Sequence, residues 1–180
     1  MKKCVFCLCD FETTGVDPFN GDLPIEVACI FTDQNFNIIT TYESLIYWPE
    51  FGKCEEWPEK YQKAFEIHKI PMKNLKESKN YYVVANEIRK ICEDLGSGRK
   101  PIILSDCGCF EFNFFKVLYC HPLCNEWPFH YCSWDTSLFL EITGIGDPKN
   151  VPHRAMKDVA LLYKAIIRAA DKIGYFNSQG

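Results

Sequence analysis

An apolar stretch near the start of the chain, "CVFCLCDFE", ends with two carboxylates two positions apart, Asp10 and Glu12. Its length and apolar character predict a buried β-strand over residues 3–12. Successive side chains of a strand point to opposite faces of the sheet, so these two carboxylates share one face. Like charges this close together on a buried face repel each other. The sequence therefore predicts that a positive partner lies between them.

The rest of the chain predicts one α/β domain over residues 1–180, a length that suits a single domain with a proper core. "LPIEVACIFTD" and "FNIITTYESLIYW" are β-rich and predict a hairpin across the polar turn "DQN". "IILS" predicts a short buried strand, and "SWDTSLFLEI" predicts a strand followed by a helix. Further helices are predicted around "EKYQKAFEIH", from Tyr82 to Leu95, from Phe110 to Leu118, and after "KNVPH". The last helix has an apolar stripe of Val159, Leu162, Ile166 and Ala169.

Composition restricts the setting in which the chain is expected to work. The net charge of −4 provides no basic footprint for binding nucleic acid by charge alone. No apolar run is long enough for a bilayer span, so no membrane association is expected, and the N-terminus does not resemble a secretory signal. Eleven cysteines, an odd number, favour reduced thiols in an intracellular compartment, cytoplasmic or nuclear.

A second acidic motif lies at the beginning of the last predicted helix, in "VPHRAMKDVALL". His153 falls in the loop or first turn, where Pro152 favours the start of a helix. Asp158 falls one turn further in. A histidine and a carboxylate at the start of one helix can face the acidic end of the first strand.

The order of these motifs resembles that of the DEDDh (DnaQ-like) 3′–5′ exonucleases of the ribonuclease-H-like superfamily. "DFETTG" at 10–15 and "HRAMKD" at 153–158 carry the resemblance. Weaker similarities follow between them in the family's order: "IEVACI", "AFEIHKI", "ILSDCGCFEFNFF" and "WDTSLFL". The resemblance implies a ribonuclease-H-like mixed β-sheet flanked by helices. It also implies metal-dependent hydrolysis of DNA or RNA from a single-stranded 3′ end, releasing nucleoside 5′-monophosphates.

One position departs from the family pattern. Most members have Phe-Asp before the middle helix, whereas this chain has Phe110-Glu111. The resemblance therefore extends to a DEEDh variant in which Glu replaces the third Asp. Asp106, five residues earlier, is the competing candidate. We favour Glu111, because alignment on the family pattern puts it at the catalytic position, with Asp106 as a supporting group at a strand end.

The carboxylates also make chemical sense without the family. Phosphodiester hydrolysis needs a nucleophilic water and a stabilised leaving oxygen, and two divalent ions about 3.5–4 Å apart provide both. Asp10, Glu12, Glu111 and Asp158 offer the oxygen ligands that two Mg²⁺ or Mn²⁺ ions prefer. The predicted positive partner is therefore metal. The resemblance implies that His153 is the general base, a role in which an imidazole nitrogen accepts a proton from the attacking water.

Candidate substrate-binding residues come from the same motifs. The resemblance implies that the backbone around Thr13, Thr14 and Gly15 receives the 3′-terminal nucleotide. His68 in "IHKI" matches a family histidine near the substrate cleft. Phe110 and Arg154 complete the set, with Arg154 as a candidate phosphate contact.

Two alternatives remain open from the sequence. Cys120, Cys124, His130 and Cys132 have side chains that could hold a structural zinc ion. We favour the interpretation that these cysteines reflect a composition rich in small buried thiols. The second alternative concerns function: a catalytically weak module that binds nucleic acid or protein and retains the exonuclease fold. The Glu at position 111 motivates this alternative.

Overall fold

The structure is a computed structural model, and it describes residues 3–96, 98–119, 126–146, 148 and 151–176. A six-stranded sheet in the order β4-β3-β2-β1-β5-β6 forms the centre of the fold. The strands are β1 (Phe6–Thr13), β2 (Pro24–Thr32), β3 (Ile38–Tyr47), β4 (Lys79–Asn80), β5 (Ile102–Ser105) and β6 (Ser133–Asp135). The helices are α1 (Gln62–His68), α2 (Met72–Lys76), α3 (Tyr81–Gly96), α4 (Gly108–Tyr119), α5 (Ser137–Ile142) and α6 (Ala155–Lys172). None of these helices is long and apolar enough to cross a membrane.

Strand directions make the sheet a mixed one. β1, β2 and β3 pair antiparallel, and the predicted hairpin joins β2 to β3. β5 adds to β1 in parallel, and β6 adds to β5 in parallel. The carboxyl ends of β1 and β5 therefore lie at the same edge of the sheet, which is where the ends of parallel strands collect side chains that can act together.

The two faces of β1 belong to different cores. Cys7, Cys9 and Phe11 pack in the larger core, which includes buried residues of α3 and α4. Phe6 and Leu8 pack in a second core beneath α6. This alternation confirms that Asp10 and Glu12 continue the row of Phe6 and Leu8 on the α6 face. The predicted stripe of α6 is also confirmed, since its members are buried in that second core: Val159, Leu162, Ile166 and Ala169.

Most predicted elements are present, and the differences are short pieces. α2 has five residues and β4 has two, which is too little sequence to produce a periodic pattern. The nine described cysteines are free thiols, and five of them are buried: Cys4, Cys7, Cys9, Cys29 and Cys92. These five fill space in the core as small apolar side chains do.

Candidate active site

The first two carboxylates lie at the end of β1. In the antiparallel pairing with β2, Asp10 is opposite Ala28 and Glu12 is opposite Glu26. The register then shifts between Glu12 and Thr13, so the strand is irregular where the site begins. Irregularities of this kind often lie beside active sites, because they change the direction of a strand and of its side chains.

The β5–α4 connection brings two more carboxylates to Asp10. Asp106 follows the last residue of β5, and Glu111 lies in the first turn of α4. Asp10, Asp106 and Glu111 each place one oxygen so that all three oxygens lie within 4.8 Å of one another. The sequence presented Asp106 and Glu111 as alternatives for one position. In the structure both residues join Asp10.

The start of α6 brings a second group to Glu12. Glu12, His153 and Asp158 each place one ligand atom so that all three lie within 4.8 Å of one another. Asp158 lies in the first turn of α6, and His153 precedes the helix with a positive φ of 51°. That conformation is uncommon outside glycine, and residues held in it are concentrated at functional sites. The two motifs that carried the family resemblance therefore meet in space.

Asp10 connects the two groups electrostatically. Burial raises the pKa of Asp10 well above its usual value, and the surrounding carboxylates Glu111, Glu12, Asp158 and Asp106 raise it further. Two of these neighbours are shifted in the same direction. Burial, followed by nearby carboxylates, raises the pKa of Glu12 to about 8, and burial together with Asp106 raises that of Glu111 to about 8. Carboxylates crowded in this way favour a bound cation, because the cation stabilises the charged forms that burial and mutual repulsion disfavour.

Two buried carboxylate oxygens support this conclusion. Oε2 of Glu111 and Oδ1 of Asp158 are buried and have no hydrogen-bond partner among the described residues. Such atoms are costly to leave unpaired, and an ion that the structure does not include is one recognised explanation. Carboxylate oxygens are the ligands that Mg²⁺ and Mn²⁺ prefer. The residues present therefore fit a divalent metal site.

The loop after β1 is held by its own side chains. Thr14 is buried, and its hydroxyl accepts a hydrogen bond from the backbone N–H of Leu23 at 2.9 Å. The Thr13 hydroxyl donates to the Gly15 carbonyl at 2.6 Å. A Cβ on Gly15 would lie 2.2 Å from Oδ2 of Asp22, so the loop accepts only glycine without rearrangement. Asp22, which the sequence reasoning did not single out, therefore shapes the candidate nucleotide loop.

His68 and Phe110 have structural partners. His68 is 3% exposed, its Nδ1 accepts the Ile70 N–H at 2.9 Å, and burial lowers its pKa to about 4. Its Nε2 has no hydrogen-bond partner among the described residues. Phe110 packs on Phe114 with ring centroids 4.7 Å apart. Both residues contribute to packing, and their predicted substrate contacts stay predictions.

The remaining candidates are Arg154 and the possible zinc ligands. Arg154 forms an ion pair with the buried Glu26, with its Nη2 2.6 Å from Oε1. Cys120 and Cys124 lie outside the described residues, so the structure does not test the disfavoured alternative of a zinc site against free thiols in this loop. His130 and Cys132 are described, and Nδ1 of His130 accepts the backbone N–H of Cys132 at 3.2 Å.

The mixed six-stranded sheet with helices on both faces matches the ribonuclease-H-like fold of a solved exonuclease, described below, which confirms the fold class. The profile of the RNase T exonuclease family matches residues 8–166, so the chain belongs to this exonuclease family. This confirms the wider resemblance, to the superfamily of exonucleases with this acidic motif. A search of curated protein sequences found no match.

Solved structures of Escherichia coli exonuclease I are similar in fold. The complex with a dT13 oligonucleotide aligns with a TM-score of 0.70 at 18% identity, covering 98% of this chain and 43% of that one. The apo enzyme aligns with a TM-score of 0.70 at 20% identity, covering 95% and 42%. The zinc-bound complex with single-stranded DNA aligns with a TM-score of 0.69 at 20% identity, covering 99% and 43%. This chain therefore spans less than half the length of the exonuclease I chains.

Proposed function

We propose that this chain is a metal-dependent 3′–5′ exonuclease that removes nucleoside 5′-monophosphates from single-stranded DNA or RNA. The observation that carries the proposal is the meeting of five carboxylates in two adjoining groups. They come from segments of the chain that are far apart in sequence: Asp10, Glu12, Asp106, Glu111 and Asp158. Membership of the exonuclease family supports the same reaction class.

The two groups would hold one divalent cation each, with Asp10 close to both. Asp106 and Glu111 would complete one site, and Glu12 with Asp158 would complete the other. Two bound cations would supply a nucleophilic water and stabilise the leaving 3′-oxygen. The proposed variant of the family motif thus has Glu111 as its third acid, with Asp106 as a fifth carboxylate beside it.

His153 is the proposed general base. It is exposed and lies in one group of side chains with Glu12 and Asp158. A ring nitrogen of His153 accepts a proton as the water oxygen bonds to phosphorus and the bond to the 3′-oxygen breaks. The leaving oxygen takes up a proton from solvent. Because His153 is exposed, it can then return its own proton to solvent.

The loop from Thr13 to Gly15 is proposed to receive the terminal nucleotide. It continues directly from the strand that carries Asp10 and Glu12. Its hydrogen bonds and the tight approach of Asp22 support a fixed shape, which would position the last phosphodiester over the carboxylates. The exonuclease I complexes with oligonucleotides support nucleic acid as the partner of this fold.

The alternative of a weak binding module rests on Glu in the third position. In the structure the Glu111 carboxylate lies within 4.8 Å of Asp10, so the longer side chain still delivers its oxygen to the site. The geometry therefore favours catalysis over binding alone.

A time course on 5′-labelled single-stranded RNA and DNA tests the proposal. We expect a ladder of products shortened one nucleotide at a time with Mg²⁺ or Mn²⁺, no products with EDTA, and no products from Asp10→Asn. Nucleic acid that binds without metal and survives intact with metal would instead establish the binding module.

A further inference from the structure

Glu26 is a charged side chain in an otherwise apolar strand. It is 1% exposed, and every residue of β2 is buried. A buried carboxylate is costly unless it is paired and hydrogen-bonded. Glu26 lies directly opposite the carboxylate Glu12 on β1 and the apolar Leu45 on β3, so neither cross-strand neighbour offers it a positive charge. Its partners must therefore come from outside the sheet.

Those partners are at the start of α6. Arg154 donates from Nη2 to Oε1 at 2.6 Å and from Nε to both carboxylate oxygens at 3.1 and 3.2 Å. The backbone N–H of Ala155 donates to Oε2 at 3.0 Å. Two-point pairing of this kind fixes orientation as well as distance.

Glu26 also caps the N-terminus of α6. Arg154 occupies the N-cap of α6, and no side chain there caps the helix. Glu26 accepts the Ala155 N–H, one of the donors that a helix start leaves unpaired, and its negative charge lies at the positive end of the helix. The backbone N–H of Arg154 in turn donates to Oδ2 of Asp158 at 3.3 Å.

We propose that Glu26 and Arg154 are positioning residues that set His153 and Asp158 relative to Glu12. This inference rests on the proposed function of the carboxylate site. His153 directly precedes Arg154 in the chain, and Asp158 lies one turn after it. The ion pair between Arg154 and Glu26, called the bridge below, therefore fixes the backbone between His153 and Asp158. Glu26 itself lies opposite Glu12 in the sheet. Its ion pair with Arg154 therefore connects the strand that carries Glu12 to the helix start that carries His153 and Asp158.

The proposal gives Arg154 a different role from a phosphate contact. Nε and Nη2 of its guanidinium are already committed to Glu26. The side chain is 44% exposed, so solvent reaches it, but its charge is opposed by a carboxylate at 2.6 Å. The two possible roles of Arg154, positioning residue and phosphate contact, predict different results for variants of this residue.

Three variants separate these roles: Glu26→Gln, Arg154→Ala and the double variant. Arg89→Ala is the matched control, since Arg89 forms an equally short pair of 2.6 Å with Glu93 on the surface of α3. For each protein we would measure Mn²⁺ affinity without nucleic acid, the melting temperature, and kcat and KM on single-stranded oligonucleotide at several salt concentrations.

We expect Glu26→Gln and Arg154→Ala each to weaken Mn²⁺ binding and lower kcat by about 10- to 100-fold, the usual effect of removing a group that orients metal ligands. KM and its salt dependence should stay as in the wild type. The double variant should lose little more than the worse single variant, because both changes break one bridge. Arg89→Ala should match the wild type in Mn²⁺ affinity and kcat.

Several results would overturn the inference. One is Arg154→Ala with unchanged Mn²⁺ affinity, a raised KM and a salt slope reduced by about one, which is the pattern of a lost phosphate contact. Another is Glu26→Gln that binds Mn²⁺ and turns over as the wild type does. If Glu26→Gln does not fold, Arg154→Lys provides the same test on an exposed side chain, because Lys keeps the charge but loses the two-point pairing. A wild-type protein without Mn²⁺ binding or turnover would instead refute the proposed function.

Discussion

Glu12 and Glu26 lie directly opposite each other on β1 and β2, and only one of them has a guanidinium partner among the described residues. Like charges directly opposite on antiparallel strands are destabilising. Arg154 offsets the charge of Glu26. Glu12 instead meets Asp158, another carboxylate. This arrangement leaves Glu12 without a guanidinium ion pair among the described residues, at the candidate metal site where a cation would stabilise its charged form.

The third-carboxylate assignment predicts an order of severity. Glu111→Gln should lower single-turnover cleavage by roughly 10²-fold or more, as losses of charge-stabilising groups at reacting centres do. Glu111 is buried and has an unpartnered oxygen, so it is well placed to bind metal. Asp106→Asn should lower single-turnover cleavage only about 10-fold, because Asp106 is exposed and is a fifth carboxylate beside the four proposed metal ligands. The reverse order would make Asp106 the third carboxylate.

The general-base assignment predicts a loss of rate without a loss of binding. His153→Ala should reduce kcat roughly 10²–10⁴-fold, because the proton of the attacking water loses its acceptor. KM and the melting temperature should change little, since His153 is exposed. Steady-state kinetics on a labelled oligonucleotide would measure the effects on kcat and on KM separately. A raised KM with normal kcat would assign His153 to substrate binding.

The raised pKa values predict that stability without metal falls as the pH rises. Burial and neighbouring carboxylates raise the pKa of Glu12 and of Glu111 to about 8 in the folded protein, from an ordinary value of 4.5. The folded state therefore binds more protons than the unfolded state between these values, and stability decreases as these protons are lost. Buried His68, with its pKa lowered to about 4, acts in the opposite direction only below its ordinary value of 6.5.

The clearest window is thus from about pH 6.5 to about pH 8. In EDTA the melting temperature should fall across this window, and Mg²⁺ should raise it most at the upper end, where the carboxylates are charged. The melting temperature of Asp10→Asn in EDTA should fall less steeply with pH, since the substitution removes one of the interacting charges. A melting temperature that rises with pH in EDTA would contradict the shifts.

Gly15→Ala should damage the nucleotide loop. The new Cβ would lie 2.2–2.6 Å from the carboxylate atoms of Asp22, which accepts the Asp17 N–H at 2.9 Å. Displacing Asp22 would distort the loop, so we expect KM to rise about 10-fold with smaller effects on stability. Gly96→Ala is the matched control, because no described heavy atom outside its chain neighbours and the adjacent helix backbone lies within 4 Å of its added Cβ. If Gly15→Ala and Gly96→Ala both behave as the wild type, the loop does not contact substrate.

Sequence reasoning found the parts of the site that depend on local pattern. The alternation of β1 put Asp10 and Glu12 on one face, and the stripe of α6 oriented the helix that carries Asp158. Both patterns are short-range consequences of strand and helix geometry.

The parts it missed depend on contacts between distant segments. Arg154 and Glu26 are 128 residues apart, and no local pattern indicates that the guanidinium next to His153 pairs with a buried carboxylate of a distant strand. The sequence named Asp106 as the competitor of Glu111 and as a supporting group at a strand end, but it did not predict that both residues reach Asp10. They do so because β5 is parallel to β1 and ends at the same edge. His68 is buried by the packing of Trp57 and Phe65, which its own neighbours in sequence do not predict.

The metal site is tested most directly by counting bound Mn²⁺ ions with electron paramagnetic resonance during a titration without nucleic acid. We expect two ions per chain, close enough to be magnetically coupled, and loss of the coupled signal in Asp10→Asn, since Asp10 lies next to both groups. Binding of no Mn²⁺, or binding that Asp10→Asn leaves unchanged, would contradict the claim that these carboxylates form the metal site.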